Sequence, residues 1–301
     1  MTKNKIFSYT TRLGYISYSL LVKATRNKFY SIAETISKML FILLTLEMSS
    51  DILTTHNEIN QTNKKEEANM LKQIKAILFD LDDTLIDSKT AQMNAICEYK
   101  NTNKAFFKTA NKQFTKSWHD ITMRLYEQYL NGEISFEKQR IMRIVNLYST
   151  YNIEITEEKA TAEFKKYLEL YKKNWTLFDD TISTLETLVD KYKLSIISNG
   201  DGEQQREKIA KTGIEKYFSE IIISGEVGVS KPNKKIFEIA YNRLSINPEE
   251  CLMIGDNYKT DIEGATNSGM KAIWVDRKSE KIEYQHTINE LKQIQGSFIE
   301  L

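Results

Sequence analysis

The sequence predicts an α/β protein whose parallel sheet is interrupted by a helical insert. Three observations carry that prediction. A short branched apolar run, Ala76 to Phe79, stops abruptly at three acids, Asp80, Asp82 and Asp83. From Ser88 to Trp175 the periodicity is helical throughout, with no strand pattern. From Asp179 onward strand and helix alternate, which favours right-handed crossovers and parallel pairing.

Size and composition bound the function. A chain of 301 residues can bury a full core in one large domain or two smaller ones. Lys+Arg 42 against Asp+Glu 41 gives a net charge of +1, so nothing global points to a nucleic-acid polymer as partner. The two cysteines, Cys97 and Cys251, lie far apart without metal-ligand spacing, the pattern of a reduced, cytoplasmic protein. The three histidines are scattered, so any metal is expected to be a hard, oxygen-bound one.

Residues 1–69 read differently from the rest. Leu13 to Val22 leans apolar behind Lys3, Lys5 and Arg12 but carries Ser17, Tyr18 and Ser19, and Lys23 follows it. Met39 to Leu46 is too short to cross a bilayer. Asn57 to Asn69 has the composition of a linker, and Met70 stands just before the first core strand. The segment is expected to be an N-terminal extension, disordered or upstream of the true start. The other reading is an amphipathic membrane-surface arm on Ile32 to Leu46. No stable membrane insertion is expected.

In the insert, Ala91, Ala95, Ile96 and Tyr99 form one helical stripe, and Ile121, Leu125, Tyr126 and Tyr129 a second that breaks at Asn131-Gly132. Ile141, Ile144, Val145 and Tyr148 form a third; Ala162, Phe164, Tyr167, Leu168 and Tyr171 form a fourth, opened at Thr156-Glu157-Glu158-Lys159. Most of Phe106, Phe107, Trp118, Tyr126, Tyr129 and Phe136 are expected in the bundle core, with one or two facing the acids.

Beyond the insert, Ile182 to Val189 reads as a helix and Leu194 to Ile197 as a buried strand ending in Ser198-Asn199-Gly200. Glu203 to Thr212 is a polar helix closed by Gly213. Ile221 to Ile223 is a strand leading to Lys231-Pro232, and Lys235 to Leu244 a helix. Leu252 to Ile254 is a strand ending in Gly255-Asp256-Asn257, and Lys271 to Val275 is the last strand. Asp80, Ser198, Lys231 and Asp256 thus all fall at or just past strand carboxyl ends, the edge where open α/β sheets bind ligands. Ser198 and the amides of Asn199 and Gly200 can donate to an anion, and Lys231 adds a fixed positive charge. Asp256 can share a hard divalent cation with Asp80. Each piece alone also fits an ordinary turn, and Asp261 also fits a helix cap. Their order and shared position make the site.

Taken together, these residues resemble the haloacid-dehalogenase superfamily of phosphohydrolases. Its four motifs are matched by Asp80-Leu81-Asp82-Asp83-Thr84, Ser198-Asn199-Gly200, Lys231-Pro232 and Gly255-Asp256-Asn257-Tyr258-Lys259-Thr260-Asp261. The resemblance implies a Rossmann-like parallel sheet core over 70–87 and 176–301, with residues 88–175 as a helical cap of the C1 type. The loop between the third strand and Lys231 is too short for a C2 cap. It implies Asp80 as nucleophile, Asp82 as general acid and then base, and Ser198, Asn199 and Lys231 on the phosphoryl oxygens. Mg²⁺ would be held by Asp80, Asp256 and the main-chain carbonyl of Asp82, with Asp261 supporting the metal or Lys231 and Thr84 fixing the loop. An acid at Asp82 favours phosphatases and mutases over dehalogenases. Ile222 to Phe237, with Asn131-Gly132, Ile134-Ser135 and Arg140, further resembles the branch that dephosphorylates pyrimidine nucleoside 5′-monophosphates. The alternatives are a sugar-phosphate or phosphoglycolate-type phosphatase, or a phosphomutase.

Overall fold

The computed structural model describes residues 74–277 and 282–294, so the expectations for residues 1–69 lie outside the described residues. Six parallel strands form one sheet in the order β3-β2-β1-β4-β5-β6. They are β1 Ala76–Phe79, β2 Lys193–Ser198, β3 Glu220–Ile223, β4 Cys251–Gly255, β5 Lys271–Val275 and β6 Thr287–Ile288. All four residues of β1 are buried, as a central strand flanked by β2 and β4 requires. The sequence reading ended the sheet at β5; β6, only two residues long, is too short for an apolar pattern to reveal.

Four helices follow β1: α1 Ser88–Thr102, α2 Asn111–Leu130, α3 Phe136–Thr150 and α4 Glu157–Lys173. Side-chain oxygens close three of their N-termini: Asp87 accepts from the Thr90 amide, Ser135 from Lys138 and Thr156 from Lys159. The four helices enclose their own core, in which Phe107 lies 4.9 Å from Phe114, 5.1 Å from Tyr148 and 5.4 Å from Tyr151 between ring centres. Each such aromatic contact contributes about 0.5–1.5 kcal/mol beyond area burial. Of the six aromatics, most of them expected in that core, only Phe107 and Trp118 are buried; Tyr126, Tyr129 and Phe136 are half-buried, and Phe106 is 51% exposed on a turn after α1.

The two passages between helices and sheet run side by side. The Asp87 amide donates to the Thr176 carbonyl at 3.0 Å and the Phe178 amide to the Leu85 carbonyl at 3.1 Å, with Ile86 and Leu177 bridged antiparallel. Beyond them come α5 Thr181–Leu188, α6 Gly202–Thr212, the single turn α7 Ser224–Val227, α8 Lys234–Leu244 and the short α9 Gly264–Asn267. Gly213, left-handed at φ 71°, ends α6 as its sequence predicts. Ala76, Leu78, Ile197, Ile222 and Met253 pack with Ile236, Phe237 and Ala240 of α8 on one face of the sheet. Cys97 and Cys251 are both free thiols. No helix among the described residues is long and apolar enough to cross a membrane.

Candidate active site

Parallel pairing brings the sequence-predicted acids to one edge. The Asp80 amide extends the ladder by one bond, donating to the Ile254 carbonyl at 2.9 Å, and its carboxylate then leaves the sheet. Asp80 Oδ1 accepts from Lys231 Nζ at 2.6 Å and Oδ2 from Thr84 Oγ1 at 3.1 Å. The same Thr84 hydroxyl accepts from the Asp256 amide at 2.9 Å, so it ties the ends of β1 and β4 together. Lys231 Nζ lies 2.7 Å from Asp261 Oδ1 as well, which places one buried ammonium between two carboxylates. Asp261 is held in turn by the Asn257 amide at 3.0 Å.

Gly255 makes that approach possible. A Cβ there would stand 2.3 Å from Asp261 Oδ2, so only hydrogen fits. The helical segment Tyr258–Glu263 that carries Asp261 is wound as a π-turn.

Electrostatics distinguish the two acids of the first motif. Burial pushes the Asp80 carboxyl well above the usual carboxylate range; Lys231 opposes this, while Asp261 and Asp256 add to it. Burial also disfavours charge on Asp82, but the Lys208 ammonium and hydrogen bonds from Lys208, Ser88 and Gln205 outweigh it and hold that carboxyl below the usual range. Lys208 Nζ reaches Asp82 Oδ1 at 2.5 Å, Gln205 Nε2 reaches Oδ2 at 2.7 Å, and Ser88 Oγ donates to Oδ1.

Of the residues expected on phosphoryl oxygens, Ser198 accepts from Gln205 Nε2 at 2.7 Å. The Asn199 side chain is engaged with the Lys231 main chain, donating to its carbonyl at 2.9 Å and accepting from its amide at 2.8 Å. It thereby sets where Lys231 starts. Ser88, Gln205 and Lys208 were not singled out by sequence. Gln205 and Lys208 share one face of α6 at i, i+3 spacing just after Ser198-Asn199-Gly200, a signal hidden because buried polar residues on a helix resemble a solvated face.

Carboxylate oxygens of Asp80, Asp256 and Asp261 lie within 4.8 Å of one another. Hard oxygen donors at that spacing, one of them burdened by burial, fit a small divalent cation such as Mg²⁺.

The description of haloacid dehalogenase-like hydrolases matches residues 74–269. The chain belongs to that family. A glyceraldehyde 3-phosphate phosphatase of Methanothermobacter thermautotrophicus is 33% identical over 71% of this chain and 90% of its own length. The pyrimidine 5′-nucleotidase YjjG of Escherichia coli is 29% identical over 66% of this chain and 84% of its own. Among solved structures, the magnesium-bound putative hydrolase YfnB of Bacillus subtilis superposes with a TM-score of 0.67 at 22% identity, covering 74% of this chain and 97% of that one. That likeness is one of fold, and it extends over the haloacid dehalogenase-like sheet and its helical insert.

Proposed function

We propose that this hydrolase is a Mg²⁺-dependent phosphatase of small phosphate monoesters, pyrimidine nucleoside 5′-monophosphates first among those to test. The observation that carries the reading is the buried Asp80 carboxylate, fixed at one oxygen by Lys231 and at the other by Thr84, with a second acid, Asp82, two residues on. Asp80, Asp256 and Asp261 would hold the cation, with the Asp82 main-chain carbonyl as a further ligand implied by family resemblance. Bound there, Mg²⁺ supplies positive charge that lowers the repulsion between an anionic nucleophile and a phosphate ester.

In the first step an Asp80 oxygen attacks phosphorus as the ester P–O bond breaks, and Asp82 gives its proton to the leaving alkoxide. In the second, water attacks the aspartyl-phosphate, gives a proton to Asp82 and releases phosphate, restoring the Asp80 carboxylate. The Lys208 contact favours ionised Asp82, the form the second step uses; the first step needs that contact loosened so that Asp82 carries a proton. Lys231 stands where it can balance charge on phosphoryl oxygens, and Ser198 stands at the same edge.

Support for the nucleotide reading is the sequence of Ile222 to Phe237 and the 29% identity to a pyrimidine nucleotidase. The test is release of phosphate from p-nitrophenyl phosphate, nucleoside monophosphates and sugar phosphates, with Mg²⁺ or with EDTA, beside Asp80→Asn. Activity that needs Mg²⁺ and vanishes in the variant is expected. Equal turnover by wild type and variant overturns the assignment, and sugar-phosphate interconversion without free phosphate makes the protein a mutase.

A further inference from the structure

One side-chain amide joins two stretches that lie far apart in the sequence. Gln205 sits in the first turn of α6, whose start is fixed by Asp201: its carboxylate accepts from the Gln204 amide at 2.9 Å and its carbonyl from the Gln205 amide at 3.0 Å. The Gln205 side chain is 1% exposed and runs back across Gly200. A Cβ at that glycine would stand 3.2 Å from Gln205 Cγ and Cδ, so bare backbone gives the amide its path.

At the end of the path Gln205 Nε2 lies 2.7 Å from Asp82 Oδ2 and 2.7 Å from Ser198 Oγ. An amide nitrogen carries two protons, and these two acceptors use both. The ionised carboxylate decides which end of the amide faces it, because its oxygens only accept.

What remains follows from counting lone pairs and protons. Asp82 Oδ1 accepts from Lys208 and Ser88, which occupies both of its lone pairs, whereas Oδ2 accepts from Gln205 alone and keeps one open. A proton carried by Asp82 therefore belongs on Oδ2. The Ser198 hydroxyl accepts from Gln205, yet its own proton goes to no acceptor among the described residues, although Ser198 is buried. A buried donor left unspent is costly in the protein alone and is completed by a ligand oxygen. Both open positions hang on one nitrogen, so they are neighbours.

Resting on the phosphatase reading, we propose that Gln205 is a positioning residue: it turns the Ser198 proton toward a phosphoryl oxygen and reserves Asp82 Oδ2 as the atom that hands a proton to the leaving oxygen. As the ester P–O bond breaks, its electron pair stays on the leaving oxygen, which takes the proton from Oδ2. The Gln205 N–H then stabilises the carboxylate so formed. One amide thus keeps the group that holds the phosphate in register with the group that protonates what departs.

The experiment uses the full chain with Mg²⁺. It compares p-nitrophenyl phosphate, whose leaving oxygen needs little protonation, with uridine 5′-monophosphate and glycerol 3-phosphate, whose alkoxides need it. Gln205→Met, close in volume but without donors, is expected to lower kcat about 10- to 100-fold more on the alkyl esters than on the aryl ester, part of the 10²- to 10⁴-fold that a placed acid supplies. It is also expected to weaken calorimetric binding of inorganic phosphate about tenfold, the scale of one hydrogen bond to a charged group. In a Ser198→Ala background the same change leaves phosphate binding where it was, because the donor it aimed is gone. Equal losses on aryl and alkyl esters, or phosphate binding unmoved by Gln205→Met, overturn the proposal. Should Gln205→Met fail to fold, Gln205→Asn, whose amide is one methylene too short to reach both acceptors, decides by the same readouts. If wild type turns over no alkyl ester, phosphate binding decides alone: a weakening by Gln205→Met that Ser198→Ala removes upholds the positioning role, and any other result overturns it. No turnover of any ester sinks the phosphatase reading separately.

Discussion

Replacing Lys231 by methionine removes the one ammonium that stands between Asp80 and Asp261. The side chain is 2% exposed and its contacts are 2.6 and 2.7 Å, so both carboxylates lose their partner inside the protein rather than to solvent. Breaking a buried ion pair from one side costs about 3–5 kcal/mol. At about 2–4 °C per kcal/mol for a domain of this size, the melting temperature falls by roughly 6–20 °C in EDTA. Adding Mg²⁺ is expected to recover part of that loss, because the same acids that lose the ammonium are the candidate metal ligands. Asp261→Asn on top of Lys231→Met is expected to cost less than Asp261→Asn alone, since the second change relieves an uncompensated charge. Phosphatase activity of Lys231→Met is expected to drop about 10²- to 10³-fold, the scale of losing one preorganised charge stabiliser. The assay is thermal unfolding by circular dichroism at pH 7, with and without Mg²⁺, beside phosphate release. An unchanged melting temperature in EDTA refutes the reasoning, for it means that the buried acids do not depend on Lys231.

Asp80→Asn is expected to melt above wild type in EDTA at pH 7: a carboxyl whose pKa is raised by folding costs stability as pH climbs from about 4 through its folded value, so the gap closes toward pH 4. Asp82 has the opposite sign, its lowered pKa giving stability at neutral pH that is lost as the medium acidifies below about 4, and Lys208→Met is expected to abolish that acid-side dependence in a melting-temperature profile. Gly255→Ala, which sets a methyl group on Asp261, is expected to cut activity and to weaken the Mg²⁺-induced rise in melting temperature together; a fully active variant shows that Asp261 can move without consequence. Asp256→Asn is expected to raise the Mg²⁺ concentration needed for half-maximal activity by at least about tenfold, measured by titration from EDTA-treated protein.

The sheet and its acid-bearing edge were legible in sequence because strand ends announce themselves. Apolar runs at Ala76–Phe79, Ile221–Ile223 and Leu252–Ile254 each stop at polar residues, and parallel pairing then gathers those stops without further information. The partners of Asp82 were not legible. Lys208 reads as an exposed helix lysine, and only the packing of α6 against Tyr171 and Trp175, whose ring centres lie 5.6 and 5.5 Å from its ammonium, buries it. Phe106 marks the reverse failure, a large aromatic left outside its core by the turn on which it sits.

The paired passages at Leu85–Asp87 and Thr176–Phe178 act mechanically as one fulcrum, because hydrogen bonds lash them together. Ser88, with its grip on Asp82, sits at the root of the lever and travels least in any swing. Away from these passages, Arg140 of α3 reaches Gln204 of α6 through a bond of 2.9 Å worth about 1 kcal/mol. A swing of the insert about these passages would leave the Ser88 contact with Asp82 nearly in place.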